Sequence, residues 1–167
     1  MNTQNGFTIV ELVFTMVIIT ILASLALVGF SALKEGMRIN SATKELHSLF
    51  HLAKLNAIRR RAPVAIAFTA GTGSSGRYVV FVDNGSSIKL LEASEDVIAR
   101  GTMPDGVIMS DVSFASSAVR FNTVGIPVAS TGSVGINNGS NKYRRITLGA
   151  GGATQIELSS NNTNWRQ

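Results

Sequence analysis

Few residues of this 167-residue chain are of a type and spacing that could do chemistry. His47 and His51 lie four apart, so on a helix their imidazoles share a face and could reach one metal ion. There is no cysteine, and no further histidine or carboxylate stands at metal-site spacing to complete a set of three or four ligands. The glycine-rich run 71–76 has the composition of a phosphate cradle. It lacks the Gly-Lys-Ser/Thr ending and precedes a strand pattern rather than a helix, so a hairpin loop is expected. Nucleophilic catalysis needs a serine or carboxylate beside a base, and both histidines sit on one helix face. The expectation is a protein that is not an enzyme and holds no metal or cofactor.

Two clusters of cations and one isolated acid remain. Arg59-Arg60-Arg61 closes a helical pattern, where cations complement the helix dipole by about 0.3–1 kcal/mol each; pairing with acidic neighbours is the alternative. In Lys142-Tyr143-Arg144-Arg145 a strand would turn Arg144 and Arg145 to opposite faces and put Lys142 with Arg144. With Asn137, Asn138, Asn141, Trp165 and Arg166, that surface would suit DNA phosphates and bases; a solvated edge strand is the plainer reading. The isolated acid is Glu11, one turn inside a long apolar run. Near a bilayer centre a charged side chain costs about 2.5–3.5 kcal/mol, less toward the interface, so such a residue usually has a partner. A cut after Gly6 would create an α-amine on Phe7, four residues before Glu11. A neighbouring copy, shifted lengthwise in a bundle, could offer its own such amine to this carboxylate, and both charges would then be buried only as a pair.

These residues must be positioned by two kinds of element. Residues 12–30 are about nineteen in a row without an ionisable group, and a helix rising about 1.5 Å per residue carries them almost across a ~30 Å hydrocarbon layer. The helical period continues through Ile39, Ala42, Leu46, Leu49, Phe50, Ala53 and Ala57, with Lys34, Arg38, Ser41, Glu45, His51 and Lys54 on the other side. One helix over about 8–60 is expected, with Gly36 a candidate bend and Pro63 ending it. Beyond Pro63 the period becomes two. Strands are expected at 64–69, 77–82, 88–92, 97–99, 107–109, 112–114, 119–122, 134–136, 143–148 and 154–158. Asp83-Asn84-Gly85-Ser86 is read as the turn of a hairpin joining 77–82 to 88–92. The fold class is therefore α+β: a long N-terminal helix packed by one stripe on antiparallel sheets.

Composition agrees with one domain plus an anchor. The 45% hydrophobic content is inflated by the first thirty residues, and sixteen glycines with 7% aromatic residues favour many turns. Without cysteine the domain must hold by packing alone. The net charge of +5 permits nucleic acid, anionic lipid or acidic partners without demanding them. Lys34 and Arg38 follow the apolar run, and the positive-inside rule alone would keep the C-terminal part in the cytoplasm.

Gly6 followed by Phe7, with Glu11 as the fifth residue after the cut and an apolar run behind it, resembles the processing site of type IV pilins and type II secretion pseudopilins. The runs 40–46, 52–60 and 77–83 are similar to the H-type (GspH/FimT/FimU-like) branch of minor pseudopilins and minor pilins. The leader here carries no Lys or Arg, and the family's frequent mid-helix proline is absent, Leu27-Val28-Gly29 standing in its region. The resemblance implies that a prepilin peptidase removes residues 1–6 and methylates the amine of Phe7, and that Glu11 guides docking into a filament. It implies 7–30 as the transmembrane and assembly helix, 31–61 as its amphipathic half, and 62–167 as a β-rich pilin domain. The precursor would cross the bacterial inner membrane once, with that domain in the periplasm, and its partners would be other minor and major pseudopilins or pilins of a pseudopilus or pilus. Some FimT-like pilins bind incoming DNA through a Gly-Arg-x-Arg motif. This chain has Gly151-Gly152-Ala153-Thr154 near that place, so Lys142, Arg144 and Arg145 would have to serve instead.

Overall fold

Among the described residues a long α-helix, α1 (Ile9–Arg60), precedes eight strands: β1 (Val64–Thr69), β2 (Arg77–Val82), β3 (Val97–Thr102), β4 (Ile108–Val112), β5 (Ala118–Phe121), β6 (Gly132–Asn137), β7 (Tyr143–Leu148) and β8 (Thr154–Ser159). The structure, a computed structural model, describes residues 8–71, 75–84, 90–128 and 131–167, and of 26–32 only the helical backbone. The chain divides into two compact units, Met1–Gly36 and Met37–Gln167.

In the first unit every residue from Thr8 to Leu25 is exposed, including Ile9 at 84% and Leu25 at 68%. The hydroxyls of this stretch need no outside partner: Thr15, Thr20 and Ser24 each donate to the carbonyl three residues back, at 2.7–2.8 Å. Among the described residues no helix is long and apolar enough to cross a membrane.

The second unit is built on the stripe expected from the helical period. Ile39, Ala42, Leu46, Leu49, Phe50, Ala53 and Ala57 are all buried. They join one core with Val64, Ile66, Phe68 and Val80 of one sheet and Met109, Val134, Ile136, Ile146 and Leu148 of the other. The sheets are four-stranded and antiparallel, ordered β3-β2-β1-β5 and β4-β6-β7-β8. Phe50 of α1 packs at a tilt on Phe68 of β1 and on Phe114, which stack on each other, with centroids 5.9–6.1 Å apart, and so ties the helix to the β-rich part. The helix ends as Arg61 turns left-handed (φ 50°), two residues before Pro63.

Two strand expectations are corrected. β2 pairs with β3, and of the expected strand 88–92 the described residues, 90–92, form none; residues 85–89 lie outside the described residues. Val80 and Tyr78 of β2 belong to the core. Segments 107–109 and 112–114 are not two strands. They merge through β4, whose register against β6 shifts between Met109 and Asp111. A bulge breaks the alternation there and imitates a strand end.

Tyr78 fastens α1 to β2 by donating its hydroxyl to Glu45 Oε1 at 2.5 Å. Burial, followed by that bond to a carboxylate, raises its pKa to about 12. Gly101, directly across from Tyr78 in β3, makes room for the ring: a Cβ there would stand 2.4 Å from the hydroxyl oxygen. Gly101→Ala should therefore destabilise by about 1–3 kcal/mol through overpacking, read as a lower urea midpoint for the detergent-solubilised chain. An unchanged midpoint would mean that the ring moves aside without cost.

Candidate functional site

α1 begins in a closed hydrogen-bond cycle. The Thr8 N–H and Oγ1–H donate to Glu11 Oε2 at 3.3 and 3.2 Å, and the Glu11 N–H donates back to Thr8 Oγ1 at 3.2 Å. The first backbone bond follows, from Leu12 N–H to Thr8 carbonyl, at 3.2 Å. This is a capping box, in which Ser/Thr at the cap and Glu three residues on satisfy each other's otherwise unpaired backbone donors. The helix starts at Ile9; Gly6 and Phe7 lie outside the described residues. The Thr-x-x-Glu spacing was present in the sequence, and a reading of Glu11 as only an intermolecular partner passed over it.

The basic residues near the C-terminus divide between two faces of the second sheet. Arg145 of β7 donates to Glu157 of β8 through Nε and Nη2 at 2.8 and 2.5 Å, and its guanidinium carbon lies 4.1 Å from the Trp165 ring centroid. Arg144 faces the other way, opposite Leu158, and Leu158 in turn bridges to Arg166 through reciprocal backbone bonds of 2.7 and 2.9 Å. Arg144, Leu158 and Arg166 thus stand in one row, and with Lys142, Asn141 and Asn164 they line a cleft of about 360 Å³ without a carboxylate. Arg144 also reaches the Asn40 side chain at 3.5 Å, and burial lowers its pKa. The expected trio is therefore split: Lys142 and Arg144 share the cleft, whereas Arg145 is held elsewhere. Arg166, expected on that surface, reaches the cleft through its bridge to Leu158.

His47 and His51 do share a face, with ring centroids 4.7 Å apart, but His47 Nε2 is engaged with Thr154 Oγ1 of β8 at 2.9 Å. Among the described residues no group of three or more His, Asp or Glu could hold a metal ion. Arg59 and Arg60 occupy the last turn of α1, and Arg60 is ion-paired with Asp96.

A long helix, a capped carboxylate in its first turn and two antiparallel sheets on its second half form the arrangement against which known proteins can be compared. The sequence model for the prokaryotic N-terminal methylation motif matches residues 1–27, and that described as type II transport protein GspH matches residues 42–152. The chain belongs to the GspH family. No curated protein matches it in sequence. Its fold is similar to that of the type IV minor pilin FimU of Pseudomonas aeruginosa strain PAO1 in two crystal forms. The TM-scores are 0.51 and 0.52 at 16% identity, covering 77% of this chain and 97% and 92% of the FimU chains. The GspH-family chain is accordingly a pilin-like subunit with an N-terminal methylation motif. Its family and fold are those of structural subunits, in which membrane-anchored precursors enter filaments.

The pKa of His47 is lowered first by burial and then by the His51 charge. Its neutral form is thus favoured in the folded protein. The stability this gives is present above the ordinary value of 6.5 and is lost as pH falls through the lower, folded value. The urea midpoint of the full chain in detergent should fall more between pH 7.5 and 5 for the parent than for His47→Gln. Parallel pH profiles would show that His47 carries none of the acid sensitivity.

Proposed function

We propose that the chain is a minor pilin or H-type minor pseudopilin, a structural subunit of a type IV pilus or a type II secretion pseudopilus. Prepilin peptidase cuts between Gly6 and Phe7 and methylates the Phe7 amine. The precursor spans the inner membrane once, by the helix over 7–30, with the pilin domain in the periplasm. The observation that carries this reading is the helix surface exposed on all sides over Ile9–Leu25. A helix apolar all round is stable only in lipid or among other helices, and a filament core offers the second environment after the membrane has offered the first.

Glu11 then has two roles. Within its own chain it caps the helix with Thr8, which takes part of the carboxylate's capacity of about four acceptor sites. In the assembled filament its remaining capacity receives the Phe7 amine of a neighbouring subunit, so subunits settle at the lengthwise offset that pairs the charges. The two roles separate by mutation. Thr8→Ala removes the cap at a cost of about 1 kcal/mol of helix stability but keeps the charge. Glu11→Leu removes the charge and the carboxylate's half of the box, while the residue-11 N–H can still donate to Thr8 Oγ1. Sheared filaments should contain less subunit by about tenfold or more with Glu11→Leu, with insertion into the membrane intact, and should be only mildly depleted with Thr8→Ala. Normal incorporation of the Glu11→Leu protein would refute the pairing.

A second reading, DNA capture by a transformation pilus, has support in the carboxylate-free cleft of Lys142, Arg144 and Arg166. Labelled DNA should then bind the full chain in detergent with a steep salt dependence. Replacing those three residues by alanine should flatten the log–log slope by about 2–3, whereas Arg145→Ala should leave it unchanged. Binding that is absent, insensitive to salt or dependent only on Arg145 would remove this reading.

A further inference from the structure

The end of α1 carries an apolar pad beside a tight loop, and neither is used by the roles above. Residues 122–128, which follow β5, are internally bonded. Asn122 Oδ1 accepts from the Val124 and Ile126 N–H groups at 3.1 and 2.9 Å, and the Gly125 and Val128 N–H groups donate to the Asn122 and Arg120 carbonyls at 2.8 Å each. Phe121 and Pro127 close this segment with a bridge. It is also pressed onto the helix: Gly125 has φ +78°, and a Cβ there would lie 2.8 Å from Ile58 Cδ1 and 3.0 Å from Lys54 Cγ. A segment so fixed presents Val124 and Ile126 to solvent at 63% and 48% exposure beside Ile58 at 45%, with Leu55, at 52%, one turn earlier in α1.

The surroundings are cationic. Ile58, Arg61, Thr123 and Val124 line a shallow hollow of about 460 Å³ that contains no carboxylate. Arg61 occupies the left-handed position that ends α1, where glycine is the usual residue, and Arg59 beside it is exposed. We infer that this pad, Leu55, Ile58, Val124 and Ile126 rimmed by Lys54, Arg59 and Arg61, docks a different subunit of the same filament through an apolar segment edged with Asp or Glu. The rim decides the occupant. Two copies meeting pad to pad would bring like charges together, whereas an acidic edge is attracted and aligned. The pad holds no tryptophan or tyrosine, the residues expected of a surface resting at a lipid headgroup layer. This inference rests on the reading of the chain as a filament subunit.

The full chain, expressed in its own cells with p-benzoyl-phenylalanine at position 124, provides the test. Illumination should join it to a different filament subunit, and peptide mapping should place the bond in a segment containing both aliphatic and acidic side chains. Arg61→Glu should lower the crosslink yield about tenfold or more, and Val124→Asp, read with the crosslinker moved to position 126, should do the same. Replacing the mapped partner acid by Lys should restore the Arg61→Glu yield. Arg and Glu bear the same left-handed strain, and Val124 is exposed, so neither variant threatens folding. Crosslinks to a second copy or to lipid, or no crosslink from a subunit recovered in sheared filaments, would overturn the docking inference and leave filament membership standing. Absence of the subunit from filaments would overturn both.

Discussion

The apolar surface of the first half of α1 has to be kept from water, and the rest of the chain is consistent with that demand. Large side chains point outward on every side over Ile9–Leu25, so no single neighbouring element of the same chain could cover them. The hydroxyls within the stretch are satisfied by their own helix, and the one acid is tied to Thr8. Such a helix enters an apolar environment with few unsatisfied groups. The cost that remains is the charge of Glu11, which makes that residue sensitive to what stands beside it.

Beyond Gly36 the same helix obeys a different rule. One stripe is buried and the opposite side is wet, because the two sheets close over only part of the cylinder. The Phe50–Phe68–Phe114 cluster and the Tyr78–Glu45 bond anchor that packing. A core organised around a fixed helix can then hold surface features in place, such as the row of Arg144, Leu158 and Arg166 and the pad around Ile58.

Much of this was legible in the sequence, and what was not has a physical cause. Every residue of the predicted stripe from Ile39 to Ala57 is buried, and β2 and β7 have their expected limits, because helical and alternating periods are local signals. The partner of β2 was not legible, since strand pairing depends on what the far side of the core needs to bury. The bulge in β4 was missed for a related reason: an extra residue shifts the alternation and looks like an interruption. At the candidate site, Lys142 and Arg144 were placed together correctly, as strand geometry requires. Arg166, expected with them, does reach the cleft, whereas the removal of Arg145 to Glu157 and Trp165 depended on tertiary contacts.

The four outer strands share a further property. β3 and β4 are each irregular in register against their inner neighbour, β5 is bridged by Pro127, and β8 is bridged by Arg166. Bulged or covered rims give a foreign strand no straight ladder of free amides and carbonyls to copy. At high local concentration such rims resist zipping together sideways into amyloid-like ribbons.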